Sequence, residues 1–198
     1  EKKSRGAVAL LLLKNATDSM MVGTGDYNSG QEMHNIVRDI NNMVIMDHLT
    51  SIYNRRFVDG RLPVDIVQAT VKSQPLSVIF IDINNMKKIN DAHGHTIGDT
   101  ALKNVAAAMQ KCIRTDVDWV ARYGGDEFII CLNNIDNTDA CRIAERVRES
   151  ILSIELPLKN DDTRIEISFG IQTMSESALT AEEIIRMADE KMYENKNY

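Results

Sequence analysis

Arg122-Tyr123-Gly124-Gly125-Asp126-Glu127-Phe128 sets two adjacent carboxylates beside a glycine pair, between two apolar runs. Before it, Asp118-Trp119-Val120-Ala121-Arg122-Tyr123 reads as a strand; after it, Glu127-Phe128-Ile129-Ile130-Cys131-Leu132 reads as another. The pattern predicts a hairpin closed by the two-residue turn Gly124-Gly125, where glycine would supply the positive φ that such turns need. Missing side chains also leave room for a phosphate beside the backbone, and Asp126 and Glu127 offer hard oxygens suited to magnesium. An ordinary hairpin with a solvated acidic tip has the same local description, so the rest of the chain must decide.

Outward from the hairpin, Leu76-Ser77-Val78-Ile79-Phe80-Ile81-Asp82-Ile83 is an almost continuous apolar run, as in a strand covered on both faces. It closes on Asp82, and antiparallel neighbours would bring Asp82, Asp126 and Glu127 to one sheet edge. Thr96 to Arg114 and Asp139 to Ile154 carry apolar residues at three- and four-residue steps and predict covering helices. Arg55 to Lys72 also reads as helical, with a break expected near Gly60 to Pro63 because proline lacks the N–H. Arg164 to Ile171 predicts a further strand, and Thr180, with Glu183 three residues on, predicts the N-cap of a last helix. Met33, Ile36, Val37, Ile40, Met43 and Val44 form one helical stripe, which either packs on its own domain or pairs with a second chain as a short coiled coil.

At 198 residues the chain holds one well-buried domain plus an appendage. Its 43% hydrophobic and 26% charged residues are those of a globular protein. A net charge of −6 argues against a nucleic-acid or anionic-membrane surface, both of which need clustered Lys and Arg. Cys112, Cys131 and Cys141 are odd in number, lack CxxC spacing and sit in apolar patterns, so reduced thiols in or near the core of a cytoplasmic protein are expected. His93 and His95 lack further ligands at zinc-site spacing. The apolar run Ala7 to Leu13 is too short to span a bilayer, and direct membrane contact by this segment is not expected. The first residue is Glu1 rather than methionine, and an upstream sensor or regulatory domain, membrane-tethered or not, is the expectation.

The string RYGGDEF resembles the signature of the GGDEF family, the diguanylate cyclases, which condense two GTP molecules into cyclic di-GMP. Two further segments carry the resemblance. Asp47-His48-Leu49-Thr50-Ser51-Ile52-Tyr53-Asn54-Arg55-Arg56 is similar to the family's DxLTGLxNRR, with Ser51 for glycine. The eighteen residues from Asp82 to Asp99 are similar to DxDxFKxxNDxxGHxxGD, with Asn84 for the second Asp and Met86 for Phe. The strand through Ser168 and Gly170 and the closing stretch Ala188 to Lys196, similar to ADxALYxAK, extend the match.

The resemblance implies an α/β fold, a palm-like, mainly antiparallel sheet flanked by helices as in nucleotidyl cyclases and polymerases. It divides the chain into an N-terminal helical extension, 1–46, and a catalytic domain, 47–198. It assigns Asp82, the Ile83 carbonyl, Asp126 and Glu127 to magnesium, with manganese as an alternative, and gives Glu127 a part in deprotonating the 3′ hydroxyl. Asn90 and Asp99 would read the guanine edge, Lys87 and Lys196 would approach the phosphates, and Gly124 and Gly125 would let them near the backbone. A buried Asp99 left unpaired by adenine would penalise ATP by roughly 1 to 3 kcal/mol. Because each GTP supplies its 3′ hydroxyl to the other, a homodimer is implied. A silent GTP-binding module and a cyclase of relaxed specificity making cyclic GMP-AMP are the alternatives. The family's inhibitory RxxD motif falls on Thr115 to Asp118, so its arginine is missing, with Arg114 one residue out of register and expected on a different face; no high-affinity product inhibition is expected.

Overall fold

Alternation of apolar residues along β2 (Leu76–Ile83) divides the molecule into two cores. Ile79, Ile81 and Ile83 face one, while Leu76, Val78 and Phe80 face the other. β4 (Glu127–Asn133) alternates in the same way, with Phe128, Ile130 and Leu132 against Ile129 and Cys131. The first core is closed by α2 (Met86–His93), α3 (His95–Lys111) and α4 (Asn137–Leu152), the second by α1 (Arg55–Lys72) and α5 (Ala181–Lys196). A sheet covered on both faces requires such apolar strands. The computed structural model describes residues 44–158, 163–175 and 179–196. Of the expected extension, 1–46, and its stripe, all but residues 44–46 lie outside them.

With β1 (Tyr53–Asn54), β3 (Trp119–Arg122) and β5 (Ile167–Met174), the sheet has the order β1-β3-β4-β2-β5. β1 runs parallel to β3 and every other pair is antiparallel. This is the mixed, helix-flanked, palm-like sheet that the sequence implied. The last helix begins as predicted, with Thr180 and Glu183 exchanging side-chain and backbone hydrogen bonds in a capping box.

Three local expectations are corrected. α1 is continuous through Pro63, which lies on its exposed side while Val58, Leu62, Ile66 and Ala69 are buried. That burial outweighs the ~3 kcal/mol cost of an interior proline. β5 starts at Ile167 rather than Arg164, because its partner β2 ends opposite Ile167 at Ile83 and the chain turns into α2. The hairpin loop spans Tyr123 to Asp126, and neither Gly124 nor Gly125 has positive φ. Glu127 O instead accepts from Tyr123 N at 2.8 Å and Gly124 N at 3.3 Å.

Candidate active site at the sheet edge

Register brings the predicted carboxylates together. Asp82 on β2 lies opposite Glu127 on β4 and Ser168 on β5, and Ile83 N donates to Asp126 O at 3.1 Å. By the alternation of both strands, Asp82 and Glu127 project toward the face covered by α1 and α5. Burial raises the pKa of Glu127, and the charges of Asp126, Asp82 and Asp189 raise it further. Four acidic groups therefore crowd one edge and lack full neutralisation. Among the described residues, no three His, Cys, Asp or Glu side chains form a ready-made metal-ligand group. Instead Lys196 Nζ, at the end of α5, donates to Asp82 Oδ1 at 2.5 Å. A cation thus already sits on a hard carboxylate oxygen, and the donor chemistry fits a magnesium ion.

Gly124 has a requirement other than φ. A Cβ there would lie 2.2 Å from Glu127 Oε2, so the glycine makes room for the carboxylate to fold back over the loop. At Gly125 a Cβ would meet nothing within 4 Å. The loop is braced from below by Arg122, whose Nη2 and Nε donate to Gly125 O at 2.7 and 3.1 Å. Arg122 Nη1 also reaches Asp47 Oδ1 at 3.2 Å. Asp47 accepts from Thr50 N and Oγ1 at 2.9 and 2.7 Å. Burial pushes the Asp47 pKa up, but the Thr50 hydrogen bonds and the Arg122 charge outweigh it and hold the carboxyl below 3.8.

The guanine-reading candidates lie on the opposite face of the sheet, where α2 meets α3. Gly98 lets them come together: a Cβ on it would lie 2.0 Å from Asn90 Oδ1 and 3.0 Å from the Met86 methyl. Asn90 is half-buried, whereas Asp99 is exposed. Lys87 stands exposed in the first turn of α2. The departures from the family pattern are accommodated, since Asn84 Oδ1 accepts from Ser168 Oγ at 2.8 Å and Met86 is buried in the core. Lys196, expected near the phosphates, is on Asp82. Arg114, expected on a different face from Asp118, forms a bidentate pair with it, Nε to Oδ2 and Nη2 to Oδ1 both at 2.8 Å.

Sequence reading missed Asp189 and the Asp47–Arg122 brace. Asp189 sits about two helical turns before Lys196 in a segment already matched, but nothing in its spacing pointed at a hairpin far away in the chain. Asp47 and Arg122 were both inside matched motifs, and only folding shows that they meet. Cys112 and Cys131 are buried as expected, while Cys141 is exposed on α4. Among the described residues no helix is long and apolar enough to cross a membrane.

Paired strands that lift carboxylates to one edge of a palm-like mixed sheet, with polar helix residues behind it, define a domain of the nucleotidyl-cyclase type. The family described as "Diguanylate cyclase, GGDEF domain" matches residues 44–198, and the chain belongs to that family. It is 38% identical over 149 residues to diguanylate cyclase DosC of Escherichia coli (strain K12), covering 75% of this chain and 32% of that protein. It is 34% identical over 156 residues to response regulator PleD of Caulobacter vibrioides (strain NA1000 / CB15N), covering 78% of this chain and 34% of that one. The chain thus spans about a third of the length of these curated relatives. Among solved structures, the coiled coil and GGDEF domain of DgcB from Caulobacter crescentus, in complex with c-di-GMP, superposes with a TM-score of 0.79. That match covers 94% of each chain at 21% identity, a likeness of fold.

Proposed function

We propose that this chain is the catalytic domain of a diguanylate cyclase, joining two GTP molecules into cyclic di-GMP across a homodimer with release of two pyrophosphates. The observation that carries the reading is the register of Asp82 opposite Glu127, with Asp126 bonded to Ile83, on a chain that belongs to the GGDEF family. Asp82, Asp126, Glu127 and the Ile83 carbonyl would hold magnesium, or manganese in its place. Bound there, the metal would supply positive charge to the phosphates and lower the pKa of the attacking hydroxyl.

The chain's own groups do the rest. Glu127, at the hairpin edge opposite Asp82, would accept the proton of the 3′ hydroxyl. Asn90 and Asp99 accept from and donate to the guanine edge, so that adenine would leave Asp99 unpaired. Exposure of Asp99 in the absence of nucleotide puts that discrimination on the closing of the base over it. Lys87 and Lys196 neutralise phosphate oxygens, and the bare backbone at Gly125 leaves the phosphates space. One chain presents one GTP, and the partner of the same sequence presents the other.

Incubation with GTP and Mg2+, alone and with added ATP, followed by chromatography of the products, tests the reading. Cyclic di-GMP as the main product in both mixtures, lost in Asp126→Ala, is the expected result. GTP binding without any product would make the chain a silent binding module, and a mixed product would make it a relaxed cyclase.

A further inference from the structure

Lys196 is held on Asp82 by architecture rather than by chance reach. Its neighbour Asn195 donates from Nδ2 to Phe169 O at 3.1 Å. One turn earlier Lys191 Nζ donates to Ile171 O and Gln172 Oε1, both at 2.9 Å. Gly170 lets α5 touch β5, since a Cβ there would lie 2.1 Å from Ala188 O. The end of α5 is thereby fixed over the strand next to β2, and the Lys196 stem carries its ammonium to Asp82, whose side chain is only 14% exposed. Arg55 stacks on Tyr123 with its guanidinium carbon 4.5 Å from the ring centroid, and its charge acts against the rise in the Glu127 pKa.

We infer that Lys196 is a tethered stand-in for the metal: it neutralises Asp82 until a divalent cation displaces it, and the freed ammonium then passes to the incoming phosphates. This rests on the reading of Asp82 as a metal ligand. Lys196 Nζ occupies Asp82 Oδ1, and a divalent ion drawn to the same carboxyl competes with the ammonium, because like charges a few ångströms apart repel. Metal without nucleotide then weakens or breaks the Lys196–Asp82 pair without offering the lysine phosphate oxygens in return. Metal with nucleotide gives the lysine phosphate oxygens in exchange. Lys196 thus makes the binding of metal and nucleotide mutually favourable, a coupling that acts equally in both directions.

The test is Mn2+ binding followed by the free-ion electron paramagnetic resonance signal, with and without a non-hydrolysable GTP analogue, for the unaltered chain, Lys196→Met, Lys196→Arg and Asp82→Asn. Removing a competing, partly exposed ion pair should tighten nucleotide-free Mn2+ binding in Lys196→Met by roughly two- to fivefold. The analogue should enhance Mn2+ binding less in Lys196→Met than in the unaltered chain, and Lys196→Arg should resemble the unaltered chain. Lysine-selective 15N NMR of the unaltered chain reads the same event without substitution, because the Lys196 ammonium signal must shift when Mg2+ alone is added. Weaker binding in Asp82→Asn with no tightening in Lys196→Met overturns the stand-in and leaves the metal reading in place. Unchanged binding in both overturns the metal reading as well.

Discussion

Gly124 and Gly125 are adjacent, yet the structure gives them different burdens. At Gly124 an added methyl would overlap Glu127 Oε2, the far end of a side chain that can swing away, whereas at Gly125 it enters open space. Gly124→Ala should therefore leave the unfolding midpoint nearly unchanged but lower turnover about tenfold or more, since a carboxylate displaced by an ångström loses its alignment. Gly125→Ala should leave Glu127 in place and act on the binding of GTP; steady-state kinetics that assign the two effects the other way round would refute this division. Asp47 offers a residue whose contribution is read by pH. Its folded pKa lies below 3.8, so the stability it adds is fully present above 3.8 and is lost as pH falls through the folded value. Asp47→Asn should cost about 1 kcal/mol near neutral pH, and the gap from the unaltered chain should close as the medium is acidified below 3.8. Urea titrations at a series of pH values measure that gap directly, and a gap independent of pH would show that Arg122 does not depend on the Asp47 charge.

Elements rather than single residues decide where the site sits, and they show why part of it could be read in sequence. The strand ending at Asp82 and the hairpin opening at Glu127 were legible because continuous apolar runs and a bounding glycine pair are local signals. Their pairing, and hence the meeting of Asp82 with Glu127, needed only the assumption that antiparallel neighbours share an edge. The continuity of α1 through Pro63 was not legible, because burial of its inner face outweighs a local penalty that sequence exhibits plainly. The hairpin turn was misread for the reverse reason: glycine suggested positive φ, while its real use is contact with a side chain that lies later in the chain. Gly170 belongs to this second kind. There an added Cβ would fall 2.1 Å from Ala188 O and 2.2 Å from Met192 N, both backbone atoms of α5 that cannot yield without moving the helix. Gly170→Ala should destabilise the domain by about 1 to 3 kcal/mol. It should also lift Lys196 from Asp82, since the end of α5 moves with the rest. Denaturant midpoints check the first effect, and the second appears as nucleotide-free Mn2+ binding shifted in the direction expected for Lys196→Met.

At the scale of the whole domain, Asp82, Glu127 and Lys196 meet on one face of the sheet edge, and Asn90 and Asp99, proposed to read guanine, lie on the other. In the proposed reaction such an arrangement would surround one nucleotide and bring only one 3′ hydroxyl to one α-phosphate, so that reaction needs two chains. Two consequences separate this from catalysis within a single chain. Specific activity should rise with protein concentration until the pairs are saturated, as mass action requires. A chain that folds and pairs but lacks Asp126 should also poison its partner, because the second phosphodiester bond then cannot form. Equal amounts of unaltered chain and Asp126→Ala, mixed at fixed total unaltered chain above the pairing concentration, should lose about half the rate of cyclic di-GMP formation, since random pairing puts half of the unaltered chains with a defective partner. A larger excess of Asp126→Ala should deepen the loss, whereas Asp126→Ala in a form prevented from pairing should have no effect. If added Asp126→Ala left the rate untouched at every ratio, the two half-sites would not cooperate, and each chain would have to bind both nucleotides by itself.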